Sequence, residues 1–292
     1  MELHQLKYLV AVADLGSFTA AAADLHVSQS GVSAQVAKLE HELGHRLFDR
    51  RARSVSITDA GLEVLPHARA ALASVTTIGT VSDELSGMMR GSLRLGTVIG
   101  CTVPGYLAGF AAFRRSYPGV SVSVVEDNSD RLIVGLAAGR LDVALVAHAE
   151  DLPATITALT VIREPLAAVV PTDHPWADRD TVSCADLAEA TVLSLPAGTG
   201  VRSALTATCA AAHVDVTPSV AAYSPEAVLA LVELGSGVGV LTATMADGRA
   251  TLVAIPVADS VQTSLSLASA SAPSAAARAM TAALTETLAP AR

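Results

Sequence analysis

The stretch SFTAAAADLHVSQSGVSAQVAKLEHELG, residues 17–44, leaves this chain the fewest ways to fold. Ser17 and Ser28 each stand just before a helical pattern, where a serine hydroxyl accepts an orphan backbone N–H, and Gly16 and Gly44 stand where helices stop. The polar HVS between the two patterns makes a turn. In the later helix Val32, Val36, Leu39 and Leu43 follow the +4, +3, +4 spacing of one buried stripe. Opposite it lie Ser30, Ala34, Ala37 and His41, with Ser33 beside them, all short or polar. An earlier helix over residues 3–14 sets Leu3, Leu6, Val10 and Ala13 at helical spacing. Helix, tight turn, then a helix with a bare outer face is the helix-turn-helix arrangement. Short side chains let such a helix sink into a DNA major groove, where glutamine and serine hydrogen-bond base edges. The plainer alternative is a solvated face on an ordinary bundle.

The continuation favours DNA. In HRLFDRRARSVSITDAG, Leu47 and Phe48 read as core, DRRARS as a turn, and VSIT as a returning strand. That is a wing whose Arg50, Arg51 and Arg53 reach phosphates or the minor groove. Residues 1–58 hold six basic and six acidic groups, so the whole net charge of −9 falls on the remainder. Four of those six cations lie between 46 and 53, a small basic strip on a neutral module. Thr58 then caps a helix running to about Met88. Its apolar stripe, with Leu62, Leu65, Leu72 and Val75, calls for a partner helix from a second copy. Packing on the chain's own body is the alternative, and Pro66 and VTTIGT weaken the helix locally.

From residue 89 onward short apolar strands alternate with helices. Strands are expected near 92–98, 120–126 and 141–147, then near 165–171, 191–196, 216–222, 237–242 and 250–257. Helices are expected near 104–117, 129–139, 200–213 and 225–235, with one more at the C-terminus. Such alternation predicts parallel sheets covered on both faces, here in two α/β lobes.

Over its whole length the sequence resembles the LysR-type transcriptional regulators. The dense part is LKYLVAVADLGSFTAAAADLHVSQSGVSAQVAKLEHELGHRLFDR followed by SITDAG; GSLRLGTV, FRRSYPGVSVSVVE, LAAGRLDVALV and LVELGSGVGVL match more loosely. The resemblance implies a multidomain α/β chain: a winged helix-turn-helix at 1–58, a dimerising linker helix at 59–88, and an effector-binding domain at 89–292. That domain is similar to two-lobed periplasmic binding proteins, with lobe I at 89–162 and 263–292 and lobe II at 163–262. It implies double-stranded DNA as partner, a homodimer or homotetramer, and base-reading positions on Gln29, Ser30 and Ser33. Family members often carry arginine where this chain has Ala34, which suits a thymine methyl instead. Ser17, Ser28 and Gln35 complete the DNA-facing set, while Lys38 and the wing arginines are phosphate candidates.

Between the lobes the resemblance implies a cleft for a small molecule. Its candidates stand where strands end at helix starts, because free backbone N–H groups there suit anions. In lobe I these are Ile99, Gly100, Cys101, Thr102, Asn128, Ser129, Ala147 and His148; in lobe II, Thr199, Gly200, Arg202, Tyr223, Ser224 and Thr242. Arg202, the one cation, points to a carboxylate or an aromatic metabolite as effector. Peroxide-sensing members carry a reactive cysteine with a resolving cysteine nine residues later. The second position matches Cys209, but the first is Gly200, so the peroxidatic thiol of those members is missing and their chemistry is not expected here; Cys101 and Cys184 are the other thiols of a redox-responsive alternative, a buried structural role being the commoner one.

Other classes fit less well. GSGVG follows a helical pattern and precedes a strand, so it is no nucleotide loop, and there is no GxxxxGK[ST], GxSxG or HExxH; the chain reads as no enzyme, with no cofactor and no metal site. A two-lobed transport protein would not explain the first 58 residues. Although 51% of residues are hydrophobic, no run reaches the roughly 18 apolar residues of a membrane helix. No secretory signal opens the chain, so a cytoplasmic protein is expected.

Overall fold

The computed structural model describes residues 1–49, 55–85, 89–101, 103 and 105–288. It divides into two compact units, residues 1–88 and 89–292. In the first, α1 (Leu3–Leu15), α2 (Phe18–Asp24) and α3 (Gln29–Leu43) begin and end where the caps predict. The Ser17 Oγ accepts from the Ala20 N–H at 3.3 Å and the Ser28 Oγ from the Gly31 N–H at 3.1 Å. Gly16 (φ 61°) and Gly44 (φ 75°) take the left-handed turn that closes α1 and α3. Leu6, Leu9 and Val12 of α1, Phe18 of α2, and Val32, Val36 and Leu39 of α3 form one core with Leu47 and Phe48.

Phe48 and Asp49 (β1) pair antiparallel with Ser56 and Ile57 (β2), forming the stem of the wing. Arg50, Arg51 and Arg53 lie outside the described residues. The stem is tied to α3 through Glu40, whose Oε1 accepts from the N–H groups of Leu47 (2.8 Å) and Phe48 (3.1 Å). Thr58 caps α4 (Asp59–Leu85) by accepting from the Gly61 N–H at 3.1 Å, and donates to the Arg46 carbonyl at 2.7 Å. A side chain at Gly61 would overlap the Leu47 carbonyl, so the helix start seats directly on the wing.

One expectation for α4 needs correction. Leu65 does not face outward: it is 8% exposed and belongs, with Ala68, to the core of its own unit. Leu72 is half-buried against the same core. α4 packs on α1 along this side, and an ion pair between Arg69 and Asp14 joins the two helices. Leu62 (55% exposed), Val75 (41%) and Ile78 (71%) are left on the outer side.

The second unit holds two five-stranded sheets. The first runs β4 (Val120–Asp127), β3 (Gly91–Val98), β5 (Val143–His148), β12 (Thr263–Ala270), β6 (Ile156–Glu164). The second runs β11 (Leu252–Pro256), β7 (Leu166–Pro171), β10 (Val238–Thr242), β8 (Val192–Ser194), β9 (Val220–Ala221). Neither is wholly parallel. β3, β4 and β5 are parallel, as are β8, β9 and β10, but β12 runs antiparallel to both its neighbours and so does β7. The chain passes from the first sheet to the second between Glu164 and Leu166, and returns between Pro256 and Thr263. β6 and β12 escaped the strand pattern because β6 (ITALTVIRE) is mostly open to solvent and β12 (TSLSLASA) buries serines. In lobe I, α5 (Tyr106–Ser116) packs with α10 (Ala275–Leu288) over one core, and α6 (Ser129–Ala137) covers another. In lobe II, α7 (Cys184–Ala188), α8 (Gly200–Ala211) and α9 (Pro225–Glu233) cover the sheet.

Candidate functional site

The first candidate surface is the outward face of α3. With Val32, Val36 and Leu39 fully buried, helical geometry turns Gln29, Ser30, Ala34 and Lys38 to solvent, and all four are exposed. Ser33 is half-buried at the edge of that face. The Ser30 Oγ donates to the Ser28 Oγ at 3.3 Å, which places both hydroxyls at the helix start. Gln35 departs from expectation. It is half-buried, and its Oε1 accepts from the Gln5 Nε2 at 3.2 Å. Gln5 is itself fully buried in α1, and its Oε1 accepts from the Glu2 N–H at 2.8 Å. The pair ties α3 to α1, so one side of Gln35 is engaged within the module while the rest of it stands at the edge of the outward face. A glutamine on the inner face of an apolar helix was the visible signal for this link.

The second candidate is a cavity of about 140 Å³ between the two lobes. Ten of the expected residues line it: Ile99, Gly100, Cys101, Asn128, Ser129, Ala147, Thr199, Gly200, Tyr223 and Thr242. They converge because α6 and α8 start at strand ends that face one another across the cleft. The Asn128 side chain caps α6 by accepting from the Arg131 N–H at 2.9 Å, and Thr199 caps α8 by accepting from the Arg202 N–H at 3.3 Å. Ser129 is buried, and its Oγ accepts from the Ala147 N–H at 3.0 Å. The lobes meet at one edge, where the Asp130 N–H donates to the Gly198 carbonyl at 3.2 Å. There a Cβ on Gly200 would stand 2.7 Å from the Ala147 carbonyl carbon.

Three expected residues do not line the cavity, and Thr102 lies outside the described residues. Arg202 sits past the first residues of α8 and turns away, because Gly200 and Val201 are the ones that face the cleft. His148 is held within lobe I: its Nδ1 meets the Glu150 carbonyl at 2.7 Å and its Nε2 the Ser266 Oγ at 2.9 Å. Since a carbonyl only accepts, Nδ1 carries the proton. Ser224 precedes α9 beside Tyr223 and Pro225, which do line the space.

The sequence pattern missed the carboxylates. Asp127 and Glu164 both face the cavity, and no lysine, arginine or histidine does so among the described residues. Asp127 accepts from the Asn128 N–H at 2.8 Å, and Glu164 accepts from the hydroxyl and the N–H of Thr244. Glu164 ends β6 at the crossing between lobes, a position no local motif marks. The rest of the lining is mainly apolar, with Val98, Ile162, Leu195, Met245 and Leu265 among it.

Comparison with known proteins gives a consistent result. Residues 3–62 match the family model for a bacterial regulatory helix-turn-helix protein, lysR family, and residues 86–289 match the LysR substrate binding domain. A hydrogen peroxide-inducible genes activator from Pectobacterium carotovorum subsp. carotovorum is 34% identical over 245 residues, covering 83% of this chain and 80% of that protein. Full-length OxyR of Pseudomonas aeruginosa, solved as a variant, superimposes with a TM-score of 0.75 at 23% identity, covering 99% of this chain and 94% of that one. CbnR in complex with its target DNA gives a TM-score of 0.57 at 24% identity, covering 98% and 100%.

Proposed function

Since the chain belongs to the LysR family and is a DNA-binding transcriptional regulator of that type, we propose that α3 reads the duplex and that a small, ring-sized effector without a carboxylate controls it. The observation that supports the first half is the exposed set Gln29, Ser30, Ala34 and Lys38 directly opposite a buried stripe. Gln29, Ser30 and Ser33 contact base edges, Ala34 lies against a thymine methyl, and Lys38 meets phosphate. Ser17 and Ser28 present helix N-termini to the backbone of the duplex. The module has few cations, so specific binding rests on several copies acting together. Residues 59–88 supply the dimer contact, through the exposed Leu62, Val75 and Ile78. The protein works in the cytoplasm, where its DNA is, and its relatives are regulators rather than enzymes.

The effector reading follows from charge and size. A carboxylate ligand would meet Asp127 and Glu164; Arg131, which pairs with Asp127 at 3.5 Å, stands outside the lining, and no cation is among the described lining residues. A cavity near 140 Å³ compares with apolar cavities of roughly 150 Å³ that accept a benzene-sized ring. A neutral or aminated monocyclic metabolite fits both constraints. The test is thermal denaturation of the full chain with benzyl alcohol, benzylamine and benzoate as probes. The two uncharged or cationic rings raise the midpoint, benzoate does not, and stabilisation by benzoate alone overturns the assignment. For the DNA half, replacing Gln29 and Ser30 by alanine weakens binding to the chain's own promoter region by about 1–3 kcal/mol. Unchanged affinity in a gel-shift measurement overturns it.

A further inference from the structure

Cys184 opens α7 and Cys209 lies in the last turn of α8, twenty-five positions apart in sequence. Their sulfurs are 3.3 Å apart, with the Cys209 thiol donating to the Cys184 sulfur, and both residues are buried in the lobe II core. A disulfide needs a separation of about 2.05 Å, so the two sulfurs must close by little more than about 1 Å, which draws the start of α7 and the end of α8 together. Nothing in the regulatory reading uses this pair. We propose that Cys184 and Cys209 are a dithiol that a small hydroperoxide converts to a disulfide, and that this bond resets the lobe II wall of the cleft.

The chemistry balances without a further reactant. The Cys184 sulfur attacks one peroxide oxygen; an S–O bond forms, the O–O bond breaks, and the departing hydroxide takes up the Cys184 thiol proton as water. The Cys184 sulfur is oxidised to a sulfenic acid and the peroxide is reduced. The Cys209 sulfur then attacks the Cys184 sulfur, the S–O bond breaks, and the hydroxide leaves with the Cys209 proton as a second water. The order follows from environment. Burial, and then the hydrogen bond to Cys184, push the Cys209 thiol up to about 12, so Cys209 keeps its proton until the second step. Cys184 stands on a five-residue helix whose neighbours Ser183 and Ala185 are exposed. A single turn at the surface opens more cheaply than the sheet beneath it, which admits a molecule of peroxide size.

The connection to the cleft runs along α8. Its twelve residues span about 18 Å, with Cys209 at one end and Thr199, Gly200 and Val201 of the cavity wall at the other. Gly200 has no room to shift toward Ala147 of lobe I without moving backbone. Tying α8 to α7 therefore changes how the lobes meet. The bond stands independently of the effector reading; its consequence rests on the cleft being the regulatory site.

The test uses the reduced full chain, treated with a few equivalents of hydrogen peroxide, alkylated, and mapped without reductant. The expected product has lost two hydrogens, carries one cross-link joining the peptides of Cys184 and Cys209, and reverts with dithiothreitol. In Cys209→Ser the link is absent and Cys184 is trapped by dimedone as the sulfenic acid; if that variant fails to fold, the wild-type map decides alone. Oxygen addition without a cross-link, or a link through Cys101, overturns the pairing. Hydrogen exchange across residues 196–205 is expected to differ between the two forms. A formed bond with identical exchange there overturns the switch, and leaves the probe-binding result for the cleft untouched.

Discussion

Single residues in this protein do more positioning than contacting. Asp186 is an example: its carboxylate accepts from the Ser183 N–H at 2.9 Å and from the Ser183 hydroxyl at 2.5 Å, and pairs with Arg179 at 3.0 Å. Those bonds, the Ser183 hydroxyl first, hold its pKa near 2 against an ordinary 3.8. A depressed carboxylate stabilises the fold above its unfolded value, and that contribution is lost as pH falls through the folded one. Lobe II of the wild type is therefore expected to lose stability between about pH 4 and pH 2, and Asp186→Asn to flatten that window in acid-denaturation curves. Such an effect would also loosen α7, on which Cys184 stands. On the α3 face proposed to meet DNA the telling residue is Ala34. Replacing it by arginine offers a bidentate donor to guanine and is expected to shift base preference at one position by about 1–3 kcal/mol. Selection of binding sites from random duplexes reads this directly; an unaltered preference would remove Ala34 from the reading face.

At the scale of elements, α4 carries two jobs on two faces. Leu65 and Ala68 seal the helix-turn-helix core, whereas Leu62, Val75 and Ile78 remain outside it. Leu65→Ala is accordingly expected to destabilise residues 1–88 by about 2–5 kcal/mol. Ile78→Glu is expected to leave that stability within about 0.5 kcal/mol while converting the protein to a monomer that no longer binds specific DNA. Size-exclusion chromatography and thermal denaturation on the two variants separate the roles; a dimeric Ile78→Glu protein would place the contact elsewhere. α8 is similarly divided between a cleft end and a core end. Gly200→Val puts side-chain atoms into the Ala147 backbone, and is expected to part the lobes and abolish stabilisation by ring probes. Its helix cap, through Thr199, stays intact.

For the whole molecule, charge distribution governs behaviour. All of the net −9 belongs to residues 59–292, whereas the first module is neutral and gathers four of its six cations between residues 46 and 53. Binding to DNA is therefore expected to fall steeply with salt, and Lys38→Ala to reduce the slope of log affinity against log salt by about 0.9 per protomer bound. Deleting residues 1–58 should end retention on DNA altogether while the ring probes still stabilise what remains. A deletion protein that kept its salt-sensitive DNA retention would refute the division of labour.

How much was legible beforehand depended on whether the determinant was local. Caps and breakers such as Ser17, Ser28, Thr58 and Gly44 act within one turn of chain, so helix ends were readable to within a residue or two. Apolar periodicity likewise predicted the α3 stripe, because a helix face depends only on spacing. The antiparallel course of β7 and β12 was not readable, since strand direction is set by sheet order and not by any pattern within a strand. Equally hidden were the inward turn of Leu65, the absence of Arg202 from the cavity and the arrival of Glu164 within it. Each depends on a crossing angle or on where a distant strand returns. The amino-acid sequence by itself determined a LysR-type chain with a bare-faced third helix and two lobes. Only tertiary packing decided that Asp127 and Glu164 reach the same cleft and that Cys184 meets Cys209, because contacts between residues far apart in sequence exist only once the sheets are assembled.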